Sequence, residues 1–212
     1  MDAIRSALIS DLNRLKNDMI SMVNLVNRNF NLAMEALLER KIDNVDVVTT
    51  SDEEVDEYHI RIENECLKTI ATQQPVASDL RQIIFYMRSV IHIERIGDLA
   101  VNIAKIAREI MLIKRNERIF SILEDISQKV KLMLANLVKA MSIDDSGLAE
   151  SIVEMDEEVD QLYSSVFVEF GKIKEDKTLM KWATDIILVC RFLERVADNV
   201  VVVANRFSSL YS

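Results

Sequence analysis

Apolar residues return every three or four positions along this chain, with almost nothing to interrupt them. The clearest run is Ile93, Ile96, Ala100, Ile103, Ala107 and Ile110, with steps alternating between 3 and 4. That spacing is the seam of a bundle helix. One hundred residues downstream, Leu193, Val196, Val200, Val203, Phe207 and Leu210 repeat the run in register. Only 3 Gly and 1 Pro occur in 212 residues, so tight turns are scarce and long helices with few connections are expected. Half of the chain is hydrophobic and only 6% is aromatic, which suits a helix bundle with a substantial core and not a β sandwich.

The pattern predicts an all-α protein of about six helices, at roughly 3–40, 44–72, 75–112, 117–141, 146–174 and 177–209. Pro75 is expected in the first turn of the third helix, where its missing N–H costs nothing. Asp144, Asp145, Ser146 and Gly147 mark the break between the fourth and fifth helices, and the polar stretch from Lys114 to Glu117 separates two halves. Two further repeats support an internal duplication. Asp-Glu-Glu-Val-Asp at 52–56 returns at 156–160, an offset of 104, and Glu94-Arg-Ile-Gly-Asp98 returns as Glu194-Arg-Val-Ala-Asp198, an offset of 100. Matched motifs in one order imply two tandem, structurally similar three-helix bundles, residues 1–113 and 114–212, packed side by side or end to end.

Those motifs hold four carboxylate pairs spaced i, i+4: Asp52 with Asp56, Glu94 with Asp98, Asp156 with Asp160, and Glu194 with Asp198. On a helix each pair shares one face, and like charges so placed repel by roughly 0.2–0.5 kcal/mol. Arg95 and Arg195, three residues before Asp98 and Asp198, offer local ion pairs on the third and sixth helices. The second and fifth helices have no such relief. Ile42 to Ile60 holds seven acids without Lys or Arg, and Ala140 to Gly171 holds nine. Hard cations bind through several carboxylate oxygens, so acids on neighbouring helices form candidate metal ligands. With Ile93 and Ile96 on the core seam, Glu94 and Asp98 fall on the outward flank. The expected site lies on the surface between the second and third helices of each half. It is partly hydrated, and better suited to docking than to catalysis.

The formal charge of −9 comes from 35 acidic and 26 basic residues. With no basic patch standing out, nucleic acid is not an expected partner. Cys66 and Cys190 are isolated thiols that fit a reducing cytosol. The chain begins Met1, Asp2, Ala3, Ile4, Arg5 without a signal-peptide hydrophobic region, and its apolar runs are too short to span a bilayer. A soluble, cytoplasmic protein is expected. Phosphate loops, dinucleotide-binding turns and His-Glu-x-x-His pairs are missing from the sequence. A ferritin-like di-iron site needs inward-facing Glu-x-x-His pairs. The chain offers only His59, three residues after Asp56, and His92, which adjoins the apolar seam and is expected to be packed. No enzymatic activity is expected.

Gln74-Pro-Val-Ala-Ser-Asp-Leu-Arg81, followed by Glu94-Arg-Ile-Gly-Asp98 and Asn102, closely resembles the first-half signature of the PhoU family. Asp52 to Asp56, Asp156-Glu-Glu-Val-Asp-Gln-Leu-Tyr163 and Glu194 to Asp198 stand where that family places its other motifs. The likeness runs from Leu12 and Met22 to Asn205. It implies a negative regulator of phosphate uptake and of the phosphate-starvation response. Such a regulator is an adaptor between the ATPase subunit of the phosphate ABC transporter and the phosphate-sensing histidine kinase. It would reach the membrane only through these partners and is expected as a homodimer. It also implies multinuclear metal clusters of iron, zinc, manganese or magnesium on Asp52, Asp56, Glu94, Asp98, Asp156, Asp160, Glu194 and Asp198. Asp79, Arg81 and Asn102 become binding candidates, with helix capping as the plainer role for Asp79 and Arg81. The second half departs from the family pattern at Ala197, Asn199 and Val202, which implies a second site that is weaker, differently metallated or empty. The competing readings are a carboxylate-bridged metal store or di-iron protein, and a purely structural helical adaptor whose acids are merely solvated.

Overall fold

A computed structural model describes residues 2–173 and 176–211. Six helices account for nearly all of them: α1 Asp2–Leu38, α2 Asp43–Gln73, α3 Ala77–Ile110, α4 Glu117–Ile143, α5 Ser146–Phe170 and α6 Lys177–Ser208. No strand occurs among the described residues.

Helix starts follow the sequence chemistry. Asn116 caps α4 by accepting the N–H groups of Arg118 and Ile119, Asp145 caps α5 through Leu148, and Asp176 caps α6 through Thr178 and Leu179. At α3 the N-cap is Val76, which has no side-chain acceptor. Asp79, in the third helical position, instead accepts the Val76 N–H at 3.3 Å. Pro75 therefore lies one residue before the cap and not inside the first turn. It still prevents α2 from continuing into α3. Ser146 and Gly147 also belong to the first turn of α5, so the break is shorter than expected, and α5 stops at Phe170, short of residue 174. With so few glycines, the chain places Arg40, Gln74 and Asp144 in the left-handed region, at φ of 61°, 45° and 56°. A non-glycine residue is strained there, and the helices on either side enforce it.

The α3 seam from Ile93 to Ile110 is buried throughout, as are Leu193, Val196, Val200, Val203 and Phe207 of α6. Each half packs its three helices against one another. The halves then join side by side, α1 against α4 and α3 against α6, while α2 and α5 lie on the outer flanks and touch only their own half. The α3–α6 pair is antiparallel: Phe85 meets Phe207 with ring centroids 5.8 Å apart, and His92 Nδ1 meets Asn199 Oδ1 at 2.8 Å. These pairings centre on the duplicated positions Ile96 and Val196. The halves are thus related by a local twofold that leaves both α2/α3 and α5/α6 grooves on the same side of the molecule.

Candidate functional site

The first half brings its four acids together. Asp52 is half-buried against α3, and Gly97 is what lets it approach: a Cβ added there would meet Asp52 Oδ1 at 3.1 Å and Val55 Cγ1 at 3.3 Å. Glu94 is half-buried, whereas Asp56 and Asp98 are exposed. Burial, followed by the charges of Asp98, Asp56 and Glu94, pushes the Asp52 carboxyl up to about 6. Burial likewise raises Glu94, with Asp98 and Asp56 adding to it, and raises Asp98, with Asp56 adding. Four carboxylates facing one another across two helices are destabilised when all are ionised.

Bases from neighbouring helices relieve other acids but not these. Arg108 pairs with Asp46 at 2.6 Å and Lys129 with Glu158 at 2.5 Å. The local pairs open to Arg95 with Asp98 and to Arg195 with Asp198 do not form among the described residues. In the second half Arg191 reaches Glu194 instead, because the i, i+3 step from 191 falls beside the half-buried glutamate while Arg95 and Arg195 point to solvent.

The α5/α6 groove repeats the arrangement. Asp156 and Glu194 are half-buried and Asp160 and Asp198 exposed, matching their first-half counterparts. Asp156 is raised by burial, then by Asp160 and Asp198. Glu194 is raised by burial and then by Asp198, with Arg191 opposing. Its Oε2 is buried with no hydrogen-bond partner. Ala197, fully buried, stands where Gly97 does in the first half.

His59 belongs to the first site, beside Glu94 of the neighbouring helix. Its Nδ1 lies 3.7 Å from Glu94 Oε1, and its buried Nε2 lies 3.4 Å from Glu63 Oε1, outside hydrogen-bonding geometry. The signal was present as Asp56 and His59 at i, i+3, one helical face. The second half has Tyr163 at that position, stacked edge-on against Phe167. His92 is packed as expected, and its bond to Asn199 gives that departure a structural purpose at the junction of the halves.

The donor set fits an oxygen-preferring cation. Apart from Glu94 beside His59 and Glu194 beside Arg191, the eight acids form no ion pair among the described residues, and Glu194 Oε2 is orphaned. Among the described residues no three His, Cys, Asp or Glu side chains converge into a ready cage, so an ion would have to draw the acids inward. All eight acids lie on the bundle surface and none in the apolar interior, which is not the inward-facing arrangement of a di-iron bundle.

The remaining candidates separate. Asp79 is buried, pairs with Arg5 at 2.6 Å and caps α3, so it braces the start of that helix. Arg81 is exposed and forms no ion pair among the described residues, and Asn102 is exposed on the α3 face that carries Asp98. Both thiols are buried and pushed up to about 12 by that burial, which leaves them inert.

The fold and its paired acidic grooves define a duplicated three-helix protein with a carboxylate face. The PhoU domain model matches it twice, over residues 19–107 and 123–207. The chain belongs to the PhoU family. It is 34% identical to the phosphate-specific transport system accessory protein PhoU homolog of Deinococcus radiodurans, over 96% of this chain and 95% of that protein. It is 32% identical to the Clostridium acetobutylicum protein of the same name, over 92% and 90%. The crystal structure of PhoU from Pseudomonas aeruginosa superposes with a TM-score of 0.90 at 29% identity, covering 95% of this chain and 97% of the other.

Proposed function

We propose that this chain is an accessory protein of phosphate transport that represses the phosphate-starvation response as a metal-binding adaptor. It links the ATPase subunit of a phosphate ABC transporter to a phosphate-sensing histidine kinase. The observation that carries the reading is membership, along most of the chain, of a family whose relatives are named as transport accessory proteins, together with paired acidic grooves on one face. Asp52, Asp56, Glu94 and Asp98 would hold the first ion or cluster, and Asp156, Asp160, Glu194 and Asp198 the second. When bound, the metal supplies positive charge that converts a repulsive acidic patch into a defined surface. The protein acts by binding, so its partners must distinguish two states of that face.

The test is genetic and chemical together. Deleting the protein should switch on phosphate-starvation genes while phosphate is abundant. Glu94→Ala with Asp98→Ala should stay helical, since Ala is a good helix former and neither side chain belongs to the apolar seam, yet fail to restore repression. Full repression by that folded variant, with its first-half metal shown to be lost, would show the first metal site to be incidental.

A further inference from the structure

Away from both acidic grooves, the N-terminal half of α3 and the C-terminal end of α6 enclose a groove of about 360 Å³. Arg81, Arg88 and Arg206 rim it, and Ile84, Phe85 and Leu210 form its apolar wall. In a chain of net charge −9, three guanidiniums gathered on one cleft make a local positive field that favours an anionic partner. Among the described residues Arg81, Arg88 and Arg206 form no ion pair. The acids at this end are engaged elsewhere: Asp79 by Arg5, and Asp144 by Lys16 at 2.5 Å and by the Tyr211 hydroxyl at 2.8 Å.

Arg206 is also oriented. Its Nη1 donates to the main-chain carbonyl of Arg88, so one edge of the fork is fixed and the other donors remain for a ligand. Burial and the neighbouring Arg88 charge lower its proton affinity, as expected for like charges held together in a partly dry site. The cleft runs on into a second, larger one that shares Arg81 and Leu210 and carries the exposed Val76 and Tyr211. The apolar wall of Ile84, Phe85 and Leu210 beside that cationic rim is more than a single oxyanion requires. It suits a chain segment with both charged and apolar side chains.

We infer that this groove docks a partner-protein segment in which carboxylates stand beside large apolar side chains. The inference rests on the adaptor reading above and assigns the partner a chemistry. Arg81 then explains what the Asp79-Leu80-Arg81 element does beyond capping. Asp79 fixes the start of α3, and that start positions Arg81 over the cleft.

The probe is a fluorescein-labelled peptide of three Leu-Glu-Glu repeats, titrated with the full chain and followed by anisotropy. Binding should weaken about tenfold or more in Arg88→Glu with Arg206→Glu, and as salt is raised. It should also weaken when Ser replaces Leu, and vanish when Lys replaces Glu. Arg88→Gln with Arg206→Gln, checked for native helicity by circular dichroism, gives the same loss without added repulsion. Binding unchanged in both arginine variants, or no binding by the native chain, would overturn the proposal. Displacement by inorganic phosphate, but not by chloride at equal ionic strength, would overturn it in favour of a small-oxyanion site. None of these readouts depends on the starvation reporter, so this proposal and the adaptor reading fail separately.

Discussion

Asp52 concentrates the electrostatic tension of the first half in one side chain. Its ordinary value is 3.8 and burial beside three other acids raises it to about 6. A carboxyl whose folded-state value is raised binds its proton more tightly when folded, so it favours the fold at low pH and loses that contribution as pH rises from about 4 through 6. In chelator-treated protein, Asp52→Asn should therefore melt higher than the native chain at pH 7, and the gap should close near pH 4. Thermal melts of both proteins across that range check this, and a gap that widens on acidification would contradict it. Taking the difference removes His92, which burial lowers and which acts oppositely. Gly97→Ala probes the same spot. The helix gains up to about 1 kcal/mol of propensity, while the added methyl pushes Asp52 outward. The expected result is a melting temperature changed by only a few degrees and a weaker pH dependence.

At the scale of the element, the helices were legible because their signals are local. Seam spacing gave α3 and α6, and the Asn116, Asp145 and Asp176 caps mark starts that the pattern placed within a residue or two. Removing one such cap should cost about 1 kcal/mol, so Asn116→Ala should lower stability by that amount in denaturant titration without touching either acidic groove. The carboxylate pairs were legible for the same reason, since i, i+4 spacing is written in the chain. What could not be read was which base reaches which acid. Arg95 stands at pairing distance from Asp98 in the sequence and does not pair with it, because long side chains choose partners by tertiary position. His59 has no glutamate three residues before it in the sequence, and its neighbour Glu94 comes from another helix. The same difference, His59 against Tyr163 and Gly97 against Ala197, sharpens the expected asymmetry between the halves. During chelator titration followed by metal analysis, the second half should empty first, and Asp52→Ala with Asp56→Ala should reduce the metal held by the first half alone.

At the scale of the whole molecule, the halves share one apolar core through α1–α4 and α3–α6. Phe207 is buried against Phe85 at that junction, so Phe207→Ala should cost about 3–5 kcal/mol. A single unfolding transition by circular dichroism and by Trp182 fluorescence is expected, with the variant moved as a unit. The local twofold between Ile96 and Val196 has a further consequence for assembly. It makes one chain the geometric equivalent of a dimer, with two like grips facing the same way. A symmetric, two-subunit partner can then be held by one chain lying on its axis, each subunit meeting one groove, and the second grip closes at the high local concentration set by the first. Such a complex would contain one copy of this chain per two partner subunits, a ratio that mass measurement of the intact assembly reads directly.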